Sequence, residues 1–237
     1  MSTEQNKNEL KRQFFRALFI PLIIALIMVL TFVFEKGMGL NFHHGGILPR
    51  SLKNFQGIFT YIFIHADVAH LINNVLSFVV LSVSLFYFYR PIATKILLLS
   101  YFSSGIILWM IGRDSWHIGA SGLIYSLAFF LFFSGLIRKH VPLIAISLII
   151  TFLYGSMVWH VFPWQTNDPI SWEGHLAGGI TGLILSVIYR NSGPQKPEII
   201  WENDEEDEEV ENDEYPEEIA DDTTDSDNEL NKRNNII

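Results

Sequence analysis

Residues 17–34, ALFIPLIIALIMVLTFVF, form an 18-residue run without a charge, and no other feature restricts the fold of this chain as much. A bilayer core takes about 20 apolar residues per helix. Inside it the chain must satisfy its own backbone polar groups, which leaves only helices and closed barrels. Five further stretches, 68–89, 92–111, 118–137, 141–161 and 173–189, have comparable length and apolar character. The expected fold class is an all-α membrane protein, a bundle of six transmembrane helices. Lys7, Lys11, Arg12 and Arg16 precede the first run, as they would a secretory signal. That run is long, however, and no small-x-small site follows it before Glu35-Lys36, so it reads as a retained anchor.

Charge orients the bundle. With the N-terminus inside, the basic clusters at 1–16, Arg90 and Lys95, 138–140 and Arg190 all fall on the cytoplasmic side, as the positive-inside rule asks. Lys36, Arg50 and Lys53 in the outer loop 35–67 are a mild violation. Residues 1–197 carry 14 basic and 7 acidic side chains, whereas residues 198–237 carry 2 and 18. The polar, acidic end has too little apolar content to offset its ordering entropy and reads as a disordered cytoplasmic tail. The expected organisation is a cytoplasmic segment 1–16, a membrane domain 17–190 and a tail 191–237. The expected location is a bacterial cytoplasmic membrane with both termini inside. The absence of cysteine excludes disulfides, thiolate metal sites and cysteine nucleophiles. No basic stretch with interleaved aromatics appears, so nucleic acid is not an expected partner.

In this topology spans two, four and six enter the membrane from the outside, and each carries polar residues in its first two turns. These are His70 and Asn74, then Ser121, then His175. Counting 1.5 Å per residue from the expected helix starts puts Ser121 about 5 Å deep, Asn74 about 10 Å and His175 about 3 Å. Taken singly, a serine in a membrane helix packs or bonds to the backbone, and Ser103, Ser104, Ser134 and Ser186 are read that way. His117 and His140 read as interfacial. Polar groups at one shared depth are different, because such groups are costly in a bilayer and face a cavity or each other.

Spacing adds to the case. His70 and Asn74, and likewise Ser121 and Tyr125, are i, i+4 and share a helical face. Gly174, Gly178 and Gly182 form a small-residue stripe, and Gly119-Ala120-Ser121-Gly122 is a small corner. Together they let spans four and six approach closely. A serine becomes nucleophilic when an adjacent base takes its proton, and His175 is the candidate base. His70, the Asn74 amide and the Ser121 backbone N–H are candidate donors to a tetrahedral oxyanion. No acidic third member lies at that depth.

The motifs HADVAHLINN (H-x4-H-x3-N), GASGLIY (G-x-S-G with a tyrosine four residues after the serine) and GHLAGGITG occur in that order on spans two, four and six. In this the chain resembles the rhomboid intramembrane serine proteases over about residues 15–190. The resemblance implies a six-helix bundle around a water-filled cavity open to the outside. Ser121 would be the nucleophile and His175 the general base. His70, Asn74 and the Ser121 backbone would form the oxyanion hole, with Tyr125 packed on His175. Gly119 would support the nucleophile, and His65, the first histidine of its motif, would have a more structural role or, as a residue just before the helix, serve as a loop hydrogen-bonder. The Trp-Arg pair frequent in the family's first outer loop is missing from KNFQGIFTYIFIH. The segment WHVFPWQTNDPISW is either an active-site cap beside a span-five gate or an interfacial aromatic belt. No cofactor or metal is implied. The implied partners are single-span membrane proteins as substrates, and the lipid bilayer.

Three other classes compete. A catalytically silent relative typically lacks one of the two dyad residues, and both are present here. A metal enzyme would need a donor motif such as H-E-x-x-H, which is absent, and His65 and His70 are expected on diverging faces. A transporter would spread its polar groups along a path.

Overall fold

The computed structural model describes residues 3–139, 141–153 and 171–193. The chain divides into two units, residues 1–197 and 198–237, and everything described falls in the first. Residues 154–161 of the expected fifth span, most of the outer aromatic segment, His140 and the acidic tail lie outside the described residues.

The charge-free run lies within helix α1, Thr3–Gly37, which starts well before the expected span because residues 3–16 continue the same helix. One stripe of α1 is buried: Ala17, Pro21, Ala25, Met28, Phe32 and Glu35, at steps of four or three. This is the spacing that keeps one helical face toward a neighbour, and the neighbour is α2, Val68–Phe88. The other face exposes Phe19, Leu22, Leu26 and Leu30, an apolar surface suited to hydrocarbon rather than water.

Helix α2 starts where Asp67 caps it, its side chain accepting a hydrogen bond from the His70 backbone N–H at 2.8 Å. It buries Leu71, Asn74, Phe78, Leu81 and Leu85 and exposes Val68, Ile72, Leu76 and Val80. Helix α3, Ala93–Ile111, and helix α4, Ser121–Arg138, follow. Helix α4 is central, with Leu123, Ile124, Tyr125, Leu127, Phe130 and Leu131 all buried. Helix α5 is described over Val141–Leu153, and α6 is Trp172–Ile188. Helices α1 to α4 are long and apolar enough to cross a membrane. The 17 residues of α6 fall a little short of the about 20 that a bilayer core takes.

Two contacts set the frame around the candidate site. Helices α4 and α6 touch backbone to backbone: a Cβ on Gly178 would collide with the Gly122 carbonyl, and one on Gly182 with the Ser126 carbonyl. At the other end of α4, the Arg138 side chain is buried. Its guanidinium donates to the Tyr89 hydroxyl at 2.8 Å and to the Arg190 and Tyr189 carbonyls at 3.1 and 2.5 Å, and also bonds Ser134. Those carbonyls close α6, where the helix dipole favours a cation. The arginine thereby ties the ends of α2, α4 and α6 together. Ser104 and Ser186 bond to backbone carbonyls of their own helices, as expected for lone serines.

Candidate active site

Ser121 is the first residue of α4, so the helix begins later than the hydropathy suggests and the serine lies at its mouth rather than 5 Å inside. Gly119 causes this. Its φ of +100° is a conformation that residues with a Cβ rarely adopt, so the helix cannot extend back through it. The Gly119 N–H bonds instead to the Tyr61 carbonyl at 2.9 Å. Ala120 supplies no side-chain cap. The first N–H groups of α4 are therefore left for another acceptor.

Helix α2 closes the site from one side. A Cβ on Gly119 would lie 2.6 Å from His70 Nε2 and 3.2 Å from Asn74 Nδ2, so both side chains press on the turn that leads into Ser121. Asn74 Nδ2 is buried and has no hydrogen-bond partner among the described residues. His65 lies before α2, not within it. The expectation of diverging faces therefore fails: the His65 and His70 rings meet at 5.1 Å with planes at 72°. Burial, reinforced by the His70 ring, pulls the His65 pKa down to about 4.

Helix α6 closes the site from the other side. The His175 ring lies flat on the Tyr125 ring, with centroids 4.2 Å apart and planes at 12°. Tyr125 is one turn below Ser121 on the same face of α4, so His175 is held on the Ser121 side of the helix. A Cβ on Gly122 would lie 3.1 Å from the Gly174 carbonyl, so the residues flanking Ser121 and His175 are in contact. Ser121, His175, Tyr125, His70, Asn74, Gly119 and His65 thus belong to one cluster. His175 is buried and Ser121 half-buried.

His117 corrects the sequence reading. It is not interfacial but 3% exposed, because it pairs with Ile47 in an antiparallel bridge that folds the outer loop over it. Its Nε2–H donates to the Arg113 carbonyl at 3.1 Å, which leaves Nδ1 to accept the Ser171 hydroxyl at 2.6 Å. Burial holds its pKa below the ordinary histidine value, in keeping with that neutral ring. Ser171 caps α6 by accepting the Gly174 N–H at 3.1 Å. Beside it Glu173, 2% exposed, faces Arg113 at 3.6 Å. The sequence reading passed over Ser171 and Glu173. Their one signal is a carboxylate two residues after a serine at the head of an apolar helix, where an ionisable group needs a named partner.

The rhomboid domain matches residues 53–192. An uncharacterized protein of Mycobacterium tuberculosis strain H37Rv is 29% identical over 186 residues, covering 74% of this chain and 75% of that protein. One of Mycobacterium leprae is 29% identical over 141 residues, covering 56% and 55%. The rhomboid-related protein 1 of Caenorhabditis elegans is 27% identical over 141 residues, covering 54% of this chain and 38% of its own length. With the domain match spanning most of the chain and its helices long and apolar, the chain belongs to the rhomboid family and is an integral membrane protein.

Proposed function

We propose that the chain is an intramembrane serine endopeptidase that cleaves membrane-anchored substrates near the outer face of a bacterial cytoplasmic membrane. Six spans carry the site, both termini are cytoplasmic, and no metal or cofactor takes part. The observation that carries this reading is the His175–Tyr125 stack one turn below Ser121. It holds an imidazole on the nucleophile's face of α4.

His175 takes the Ser121 proton as the hydroxyl attacks the substrate carbonyl. The tetrahedral oxyanion accepts from the Asn74 amide, from His70 and from the Ser121 N–H at the uncapped start of α4. His175 returns the proton to the leaving amine, and water then hydrolyses the acyl-enzyme by the same path. Small residues on α4 and α6 make the approach of base to nucleophile possible.

The test is cleavage of a single-span substrate by purified protein in detergent or proteoliposomes. Wild-type protein cuts within or beside the span, and Ser121→Ala and His175→Ala do not, although both elute as folded protein. Full cleavage by Ser121→Ala protein contradicts the reading.

A further inference from the structure

The glycine stripe that lets α4 and α6 touch does not by itself say how far along each other the two helices sit. Gly174, Gly178 and Gly182 repeat every four residues, so a slip of one turn (about 5.4 Å) sets another glycine against Gly122. Packed helices do move by such one-turn steps. A Ser–His pair tolerates far less displacement, so the register needs a device other than the stripe.

His117 and Ser171 supply it. His117 stands four residues before Ser121, and Ser171 four residues before His175. The 2.6 Å hydrogen bond between them therefore ties the two segments at matching distances ahead of nucleophile and base. Each end of the tie is itself fixed. His117 exchanges two backbone hydrogen bonds of 2.9 Å with Ile47, and Gly119 is held by Tyr61. Ser171 accepts the Gly174 N–H at its hydroxyl and the His175 N–H, at 3.3 Å, at its carbonyl. The Glu173–Arg113 ion pair joins the same two segments a second time. Glu173 Oε2 is buried with no hydrogen-bond partner among the described residues. Burying a charge so incompletely satisfied costs stability, and a packing role alone gives no reason to keep it there.

We propose that the His117–Ser171 hydrogen bond, backed by the Arg113–Glu173 ion pair, is a positioning clamp that sets the register of α6 on α4 and so the approach of His175 to Ser121. The clamp residues touch neither substrate nor the reacting atoms. The catalytic consequence rests on the Ser121–His175 reading above, whereas the register is a matter of geometry.

The cysteine-free chain allows both to be measured. Spin labels at Ser115→Cys, in the outer loop, and Ile180→Cys, on α6, both exposed positions, report the register as a distance distribution. His117→Leu broadens or shifts that distribution, and Glu173→Gln does so more weakly. In the unlabelled protein, His117→Leu lowers kcat per titrated active site by about 10- to 100-fold with KM little changed, the loss expected for a misplacement of about 1 Å. His117→Asn, which keeps a polar atom near the position of Nδ1, recovers part of it. Ser171→Ala serves as the second variant should His117→Leu fold poorly. An unchanged distance distribution in folded His117→Leu and Ser171→Ala protein overturns the clamp, whatever the activity. A changed distribution with unchanged kcat overturns its role in positioning the catalytic pair. A changed distribution in a chain whose wild type cleaves nothing leaves the clamp standing and rejects the peptidase reading.

Discussion

Asn74 donates to nothing among the described residues although its amide is buried. A buried donor without a partner is a liability that natural proteins rarely keep. Next to a serine at an uncapped helix start it acquires a purpose under the proposed function, in which the missing acceptor is the oxyanion of the tetrahedral intermediate. That separates it from an amide used as interhelical glue, and the difference is measurable. Asn74→Ala lowers kcat by about 100- to 1,000-fold, the usual loss for one oxyanion donor. The midpoint of thermal unfolding stays within a few degrees, since no side-chain hydrogen bond of Asn74 among the described residues is lost. Steady-state kinetics and a melting curve on the same sample decide it. A large drop in melting midpoint with kcat preserved assigns the residue to structure instead.

At the scale of elements, the contact between α4 and α6 carries the site, and Gly178 is its tightest point. Gly178→Ala forces a methyl onto the Gly122 carbonyl, so α6 must move away from α4. The expected cost is about 1–3 kcal/mol for overpacking, with loss of activity beyond the loss of folded protein. Thermal unfolding and cleavage rate per folded molecule check both.

The outer loop adds a pH dependence. His65 is neutral in the fold, with its pKa near 4 against about 6.5 when unfolded, and the buried His117 shifts in the same direction. Between those pKa values the unfolded chain binds more protons, so stability rises with pH. The contribution is complete above about pH 6.5 and is lost as pH falls toward 4. The thermal midpoint of the detergent-solubilised protein should therefore drop over that window, and drop less in His65→Gln. A midpoint that is flat or rises on acidification contradicts the neutral burial.

These elements also show what the sequence makes legible. Charge-free runs mark α2 and the bodies of α3 and α4, and Asp67 is readable as a cap because its side chain acts three residues away. The i, i+4 pairs His70–Asn74 and Ser121–Tyr125 are readable because helical periodicity is local. The burial of His117 is not, since it depends on a bridge to Ile47, seventy residues distant and without any repeat. Nor is the start of α4, which a single backbone angle at Gly119 decides. Hydropathy likewise cannot see that α1 continues through the polar residues 3–16, whose composition suits a helix in water rather than in lipid.

Across the whole molecule, polar chemistry sits at one end of the helices and a buried cation at the other. His70, Asn74, Ser121 and His175 lie near the starts of α2, α4 and α6, and Arg138 joins the ends of the same three helices. The three helices that carry the site are therefore tied at the end remote from it, and motion at the site need not disturb that knot. A chain ending at Pro197 should insert, fold and cleave as the full chain does, within about twofold in kcat/KM; loss of cleavage in folded truncated protein assigns the acidic segment a part in catalysis.

The central claim is that Ser121 is activated by His175, and reaction with a fluorophosphonate followed by peptide mass spectrometry tests it most directly. The folded wild-type protein should carry the adduct on Ser121, and His175→Ala should slow its formation by about 100- to 10,000-fold, the range lost with a general base. No adduct on Ser121 in folded protein, or an adduct formed at the same rate without His175, would contradict the account.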